Sequence, residues 1–270
     1  MLFTKANIVM GVTILLGALA IGTILIMHQA ADAAEGQFDN ADYSQPGAVP
    51  NEQPTGGEDE EQPGRNLAAE IEQSRKNLEK IGVALINWKD SQNEFRAARF
   101  DRAGKPLLSW RVMILPYLEE YDLLFRQFKI DEPWDSASNK KLLAKMPAIY
   151  AAPGLKTRNP TTTFYQVFNG KGALFDGTLR IKDKDVTDGL GRTIMIVEAG
   201  EAVPWTKPED LTYDPEKELP KLGGVFKGDF NFVDANGSVH TANKGFDVMK
   251  LRAAITRAGG EAVDLNNLNP

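Results

Sequence analysis

The chain contains no cysteine. Disulfides, thiol nucleophiles and zinc–thiolate sites are therefore excluded. Histidine is nearly absent as well: only His28 and His240 occur in 270 residues. They fall in different parts of the chain, and with only two of them a multi-histidine metal site within one chain is not expected. A surplus of positive charge is missing too. Lys and Arg number 31 against 37 Asp and Glu, a formal net charge of −6, which argues against a nucleic-acid partner held by phosphate neutralisation. There is no G-x-S-x-G nucleophile elbow, and Gly170-Lys171-Gly172 and Gly223-Gly224 are too short and poorly placed to cradle phosphate. No internal repeat is present and no cofactor is expected. What remains is 42% hydrophobic and 9% aromatic residues, enough for a globular core.

One long hydrophobic run stands out. Lys5 precedes the uncharged segment ANIVMGVTILLGALAIGTILIM, residues 6–27, and about 20 apolar helical residues span a bilayer core. Positive charge lies before it and Asp32, Glu35, Asp39 and Asp42 lie after it. Residues 1–28 thus read as a single-pass anchor in the cytoplasmic (inner) membrane, with residues 6–27 in the lipid bilayer. The N-terminus is cytoplasmic and all that follows is extracytoplasmic. A cleaved signal peptide is the rival reading, since Ala31-Asp32-Ala33 fits a cleavage site; the length of the run favours a retained anchor. A prepilin leader fits less well, because Leu16 stands where pilins carry glutamate relative to a processing glycine at Gly11. Residues 29–65 carry Pro46, Pro50, Pro54, Pro63 and the acidic run Glu58-Asp59-Glu60-Glu61. They read as a disordered acidic linker that holds the domain roughly 30–35 Å from the bilayer. An extracytoplasmic domain, residues 66–270, completes the chain.

Within that domain, Leu67, Ile71, Ser74, Leu78, Ile81, Leu85 and Trp88 recur at spacings of four and three. This predicts a long amphipathic helix over Asn66–Trp88 whose apolar stripe is interrupted by Ser74. Packing on its own domain is favoured over a coiled coil, and Gly82 is expected where a neighbouring strand comes close. A second helix is expected over roughly 110–127 and a short one over Ser138–Met146. Strands are expected at Thr162–Phe168, Arg192–Glu198, Lys221–Phe226 and Asp229–Asp234. The turn Ala235-Asn236-Gly237-Ser238 leads to a strand at Val239–Thr241, and a last helix covers Phe246–Arg257. Helices first and strands later predict an α+β fold, a long helix packed on a C-terminal antiparallel sheet.

The segments NLEKIGVALINW (77–88), KPLLSWRVMILPYLEEYDLLFRQFKIDEPWDSASNKKLLAKMPAIY (105–150), TFYQVFNGKG (163–172), VTDGLGRTIMIVEAGEAVPWTKPEDL (186–211), LGGVF (222–226) and ANGSVH (235–240) carry a resemblance. Over roughly 67–260 the chain resembles the planctomycete extracytoplasmic "domain of unknown function 1559" family. The resemblance implies a pilin-like architecture, in which a hydrophobic N-terminal helix leads into the first domain helix and that helix packs on an antiparallel sheet. It implies no catalytic activity. Many members carry two cysteines where this chain has Ser74 and Ala152, so a cross-link worth about 2–4 kcal/mol is replaced by packing. The family's His-x9-Asp-Gly signature becomes Phe226 and Asn236-Gly237, which keeps the turn chemistry and loses both titratable groups.

Four segments could carry chemistry. Asp131, Glu132 and Asp135 surround Trp134, a grouping that could supply a glycosidase acid and base with the indole stacking a sugar. The favoured alternative is a capped turn with Trp134 in the core. Asp183, Asp185 and Asp188 suggest oxygen ligands for calcium, but the spacing misses the usual loop and Ile194 occupies its twelfth position; a turn is favoured. Trp205 and Lys207 lie in a loop of aromatic and charged residues that suits a binding surface, or equally caps the sheet. His240 could act with Ser238, although a strand histidine is favoured. The expected function is a non-enzymatic, membrane-anchored structural or interaction protein of the cell envelope, its partners being an envelope protein or further copies of itself. A pseudopilin-like subunit and a tethered carbohydrate-active enzyme or binding module are the alternatives.

Overall fold

The apolar stripe folds as its spacing predicts. In the computed structural model, which describes residues 66–155 and 160–269, helix α1 runs Leu67–Gln92, about 39 Å at 1.5 Å per residue. The Asn66 side chain accepts from Ala69 N (3.1 Å) at its start, and Asn93, with φ 56°, turns the chain at its end, a conformation asparagine tolerates. Strands β1 (Ala98–Phe100) and β2 (Pro106–Ser109) form an antiparallel hairpin.

The single helix expected over 110–127 is broken into α2 (Trp110–Met113), a 3-10 turn at Leu115–Tyr117 and α3 (Asp122–Phe125). Pro116 has no N–H to continue the helical ladder, and Glu120 sits at φ +74°. The helix expected at 138–146 forms as a 3-10 helix, Asn139–Lys145. There follow β3 (Thr162–Gln166), β4 (Phe168–Gly170), β5 (Ile194–Pro204), β6 (Leu211–Tyr213), β7 (Phe230–Asp234), β8 (Val239–Ala242) and α4 (Val248–Ile255). The main sheet is antiparallel in the order β3-β5-β7-β8, and β4 pairs in parallel with β6. The fold is α+β, with the long helix on the sheet.

Segment 221–226, expected as a strand, is a loop. It touches β5 through Gly200 N to Lys221 O (2.7 Å) and Gly223 N to Glu198 O (3.1 Å), then leaves the extended region at Gly223, φ +69°.

Strands β5 and β7 are buried on both faces. On one face Ile196 and Val233 join Leu78, Ile81 and Leu85 of α1. On the other, Ile194, Val197, Phe230 and Phe232 meet Leu251, Ala254 and Ile255 of α4 together with Leu265 and Leu268. A bulge in β5 between Ile194 and Ile196 inserts Met195 on the α1 side, which explains the continuous apolar run IMIV where a one-sided strand would alternate. Residues 1–28 and 29–65, read above as anchor and linker, lie outside the described residues. Among the described residues no helix is long and apolar enough to cross a membrane.

Gly82 sets the distance between α1 and the sheet. A Cβ built there would stand 2.9 Å from Cγ1 of Val233, which is fully buried. Alanine gains about 1 kcal/mol of helix propensity, but overpacking costs about 1–3 kcal/mol. Gly82→Ala is therefore expected to lower stability by about 1 kcal/mol in denaturant unfolding. On a Val233→Ala background the same change is expected to be stabilising, and a Gly82→Ala effect identical on both backgrounds would refute this contact.

Candidate functional site

The loop expected to present Trp205 and Lys207 is drawn into the core by Arg111. That arginine is fully buried and commits its whole guanidinium. Its Nε donates to Trp205 O (3.2 Å), and Nη1 donates to Tyr165 O (3.2 Å) and to Asp210 Oδ1 (2.7 Å). Its Nη2 donates to the carbonyls of Lys207 (3.4 Å) and Glu209 (2.8 Å). Asp210 Oδ1 also accepts from Trp110 Nε1 and Val167 N, each at 3.1 Å. Burial raises the Asp210 carboxyl above its usual range, with Arg111 opposing. Trp205 is 0% exposed. Its Nε1 donates to Leu143 O (2.9 Å) and its ring stacks on Tyr150, centroids 5.9 Å apart. Trp205 is thus a core residue, which corrects the exposed-surface reading. Lys207 remains at the surface, paired with Glu209 (2.5 Å) and 5.7 Å from the Trp134 ring.

The 131–135 segment is organised by a residue the sequence did not single out. Asn139 is fully buried. Its Oδ1 accepts from Lys129 N (2.9 Å), and its Nδ2 donates to the carbonyls of Lys129, Glu132 and Pro133 at 3.0–3.1 Å. Ser136 Oγ accepts from Asn139 N (3.1 Å). The Trp134 side chain packs half-buried on the main core, and its backbone N–H donates to Leu107 O (2.8 Å). Asp131, whose side chain is 81% exposed, pairs with Arg99 at 3.0 Å. Asp135 is exposed and Glu132 half-buried. This is a capped turn around an indole.

The three aspartates of the suggested calcium loop go to three different tasks. Asp183 receives Lys89 Nζ at 3.0 and 3.1 Å. Asp185 accepts from Lys182 N (2.9 Å). Asp188 accepts from the backbone of Gly259 (2.7 Å) and Gly260 (2.8 Å). Lys89 is nearly buried; its desolvation is outweighed by Asp90 and Asp183, so its pKa is raised. Among the described residues no cluster of three His, Asp or Glu side chains is placed to hold a metal ion. His240 stacks on Phe232 (5.1 Å) and both its nitrogens are engaged, Nε2 with Asp234 Oδ2 (3.1 Å) and Nδ1 with Asn266 Oδ1 (3.0 Å). No imidazole nitrogen is left to activate a nucleophile.

A second buried carboxyl raised by desolvation, Glu198, carries no functional signal in the sequence pattern. It lies on β5 beneath α1 and is 0% exposed. Ser74, the gap in the apolar stripe, donates its hydroxyl to Glu198 and shares a 2.7 Å hydrogen bond with the Tyr165 hydroxyl. Glu198 Oε2 accepts from Asn231 N (2.7 Å) and Oε1 from Asn231 Nδ2 (3.3 Å). Thr241 donates to Asn231 Oδ1 (2.8 Å), and Arg75 of α1 donates to Thr241 Oγ1 (2.7 Å). Desolvation pushes the Glu198 pKa up to about 7, against the opposing bonds from Asn231 and Ser74. The same burial, together with Glu198, raises Tyr165. Beside this cluster Ala152, Val225 and Phe226 pack with Ile71 of α1 and Phe164, so both Ala152 and Phe226, singled out above by the resemblance, sit in apolar contact.

Among the described residues, two wide clefts are open at the surface. One, of about 790 Å³, runs along α1 past Gln73, Lys80, Val83, Tyr117, Tyr121 and Ile149. The other, of about 730 Å³, lies at the β1–β2 hairpin. Residues 68–172 match a protein family described as "Protein of unknown function (DUF1559)", which supports the resemblance carried by the sequence motifs. The match runs from α1 through β4 and contains Ser74 and Arg111, while their partners Glu198 and Asp210 lie beyond it. Among curated proteins and among solved structures, none matches the chain.

Because the folded-state pKa of Glu198 is raised, its neutral form stabilises the fold. That contribution is full below about pH 4.5 and is lost as pH rises through about 7, on the order of 3 kcal/mol in all. Glu198→Gln keeps a neutral acceptor and is expected to erase this loss. The stability difference between variant and wild type should therefore grow in favour of the variant from pH 5 to pH 8. A difference that stays constant over that range would show that Glu198 does not titrate in the fold.

Proposed function

We propose that this chain is a membrane-anchored extracytoplasmic protein of the cell envelope that works by binding rather than by catalysis. The observation that carries the proposal is the way the acidic candidates are used. Four of the six acidic candidates, Asp131, Asp183, Asp185 and Asp188, are spent on an ion pair or a backbone cap, and the two carboxyls that burial pushes towards neutrality, Glu198 and Asp210, are sealed in the core. A general acid must reach its substrate, and Glu198 is closed to solvent. The open clefts supply surface for recognition instead. The hydrophobic run 6–27 and the acidic stretch 29–65 support a tether.

A pseudopilin-like subunit is the second reading. A helix of 26 residues lying on a four-stranded antiparallel sheet supports a pilin-like fold, and pilins assemble laterally through their N-terminal helices. The absence of cysteine makes the two readings separable. Ala18→Cys is introduced into the full chain in native membranes and oxidised. A tethered binding protein is expected as a full-length monomer in the carbonate-washed membrane fraction, with its domain cleaved by protease added from the extracytoplasmic side. Cross-linked dimers would favour lateral assembly. A soluble band shortened by about thirty residues would refute the anchor.

A further inference from the structure

We infer that the cleft at the β1–β2 hairpin is a binding site for a compact oxyanion, a phosphate or sulfate group free or carried on a sugar-sized molecule. Four guanidinium groups, Arg96, Arg99, Arg102 and Arg180, line it together with the hydroxyl-bearing Thr178. This concentration of one sign is conspicuous in a chain whose net charge is −6.

The four arginines contrast with Arg111, which uses its donors completely on internal carbonyls and Asp210. Arg96 and Arg180 share one carboxylate, Glu94, with Arg180 Nε 3.5 Å from its Oε2. Arg99 makes one ion pair, to Asp131, and its Nε is shielded from water without a hydrogen-bond partner. Arg102 has no hydrogen bond or ion pair with any described residue. Most of the N–H donors in the cleft are therefore unspent. A guanidinium presents a planar fork that matches two oxygens of a phosphate or sulfate at once, a geometry lysine lacks.

The neighbouring acids do not close the site. Asp101 spends Oδ1 on Ala103 N and Lys105 N, both at 2.8 Å, and so shapes the hairpin turn. Asp131 is 81% exposed, and an exposed ion pair of this kind contributes about 0–1 kcal/mol, so a ligand oxyanion can displace it. The overall negative charge is screened beyond about 8–10 Å at moderate salt. That favours a small anion held at short range over a long polyanion. The cleft volume, about 730 Å³, leaves room for a sugar-sized group that carries the anion. The assignment rests on this cleft alone and is independent of the envelope reading.

The test is calorimetric titration of the full-length protein with inorganic phosphate, glucose 6-phosphate and glucose. Saturable binding of phosphate or of the ester, with none of glucose, is expected. It should weaken at least about tenfold in Arg99→Gln/Arg180→Gln and as chloride rises from about 50 to 200 mM. Equal affinity for the two phosphates would assign the site to the free ion, and tighter binding of the ester to a phosphorylated sugar. Arg102→Gln guards against a folding artefact, because this exposed side chain has no partner to lose among the described residues; it is expected to weaken binding with an unchanged melting temperature. No saturable binding of either phosphate, or binding unaltered in both variants, would overturn the inference.

Discussion

The buried pair of Arg111 and Asp210 is the constraint on which the rest of the domain depends. It joins residues 99 positions apart and closes the segment after β5 over the hairpin region. Two charges in a dry interior are costly, and their attraction offsets that cost only when the remaining donors and acceptors are also met. Here they are met. Three backbone carbonyls of the 205–209 loop, the carbonyl of Tyr165, the indole of Trp110 and the amide of Val167 complete the shell. The Arg111 carbonyl in turn accepts from Tyr150 OH (2.7 Å), and Tyr150 stacks on Trp205. A single arginine thereby aligns α2, β3, the 3-10 turn at Ala148–Tyr150 and the loop before β6.

A second polar cluster performs the matching task under α1. Ser74, Tyr165, Glu198 and Asn231 sit between α1 and the sheet, where apolar contact would otherwise be continuous. Tyr165 belongs to both arrangements, its hydroxyl bonded to Ser74 and its carbonyl to Arg111. The two clusters thus meet on β3. Buried polar groups of this kind fix register more than they add net stability. The register of α1 on the sheet is then set by two different means, Gly82 against Val233 of β7 and Ser74 against Glu198 of β5.

Much of this framework was legible in the residue pattern. The stripe of α1, the Asn-Gly turn before β8, the strand expected at 192–198 (β5 runs Ile194–Pro204) and the close approach at Gly82 all follow from local spacing and backbone chemistry. Where expectation and structure part, the cause is specific. Pro116 and Glu120 interrupt the expected helix at 110–127, and Gly223 ends the extended course of 221–226. The capped turn expected at 131–135, with Asp135 or Ser136 as the cap, is seen with Ser136 in that role, and Asn139 adds the bonds that hold the turn together. The polar clusters were half visible: Ser74 as a gap in a stripe, and Glu198 as the end of an apolar run. Their pairing was not, because partners tens of residues apart leave no periodic trace. The basic cleft escaped notice for the same reason, since Arg180 joins the hairpin arginines only once the chain has folded.

Denaturant unfolding of Arg111→Met beside Arg111→Met/Asp210→Leu tests the central claim most directly. Removing the guanidinium alone strands Asp210 and the carbonyls around it, and stability should fall by about 3–5 kcal/mol. Removing the stranded carboxylate as well should recover part of that loss. A single variant within about 1 kcal/mol of wild type, or a double variant less stable than the single, would contradict the account.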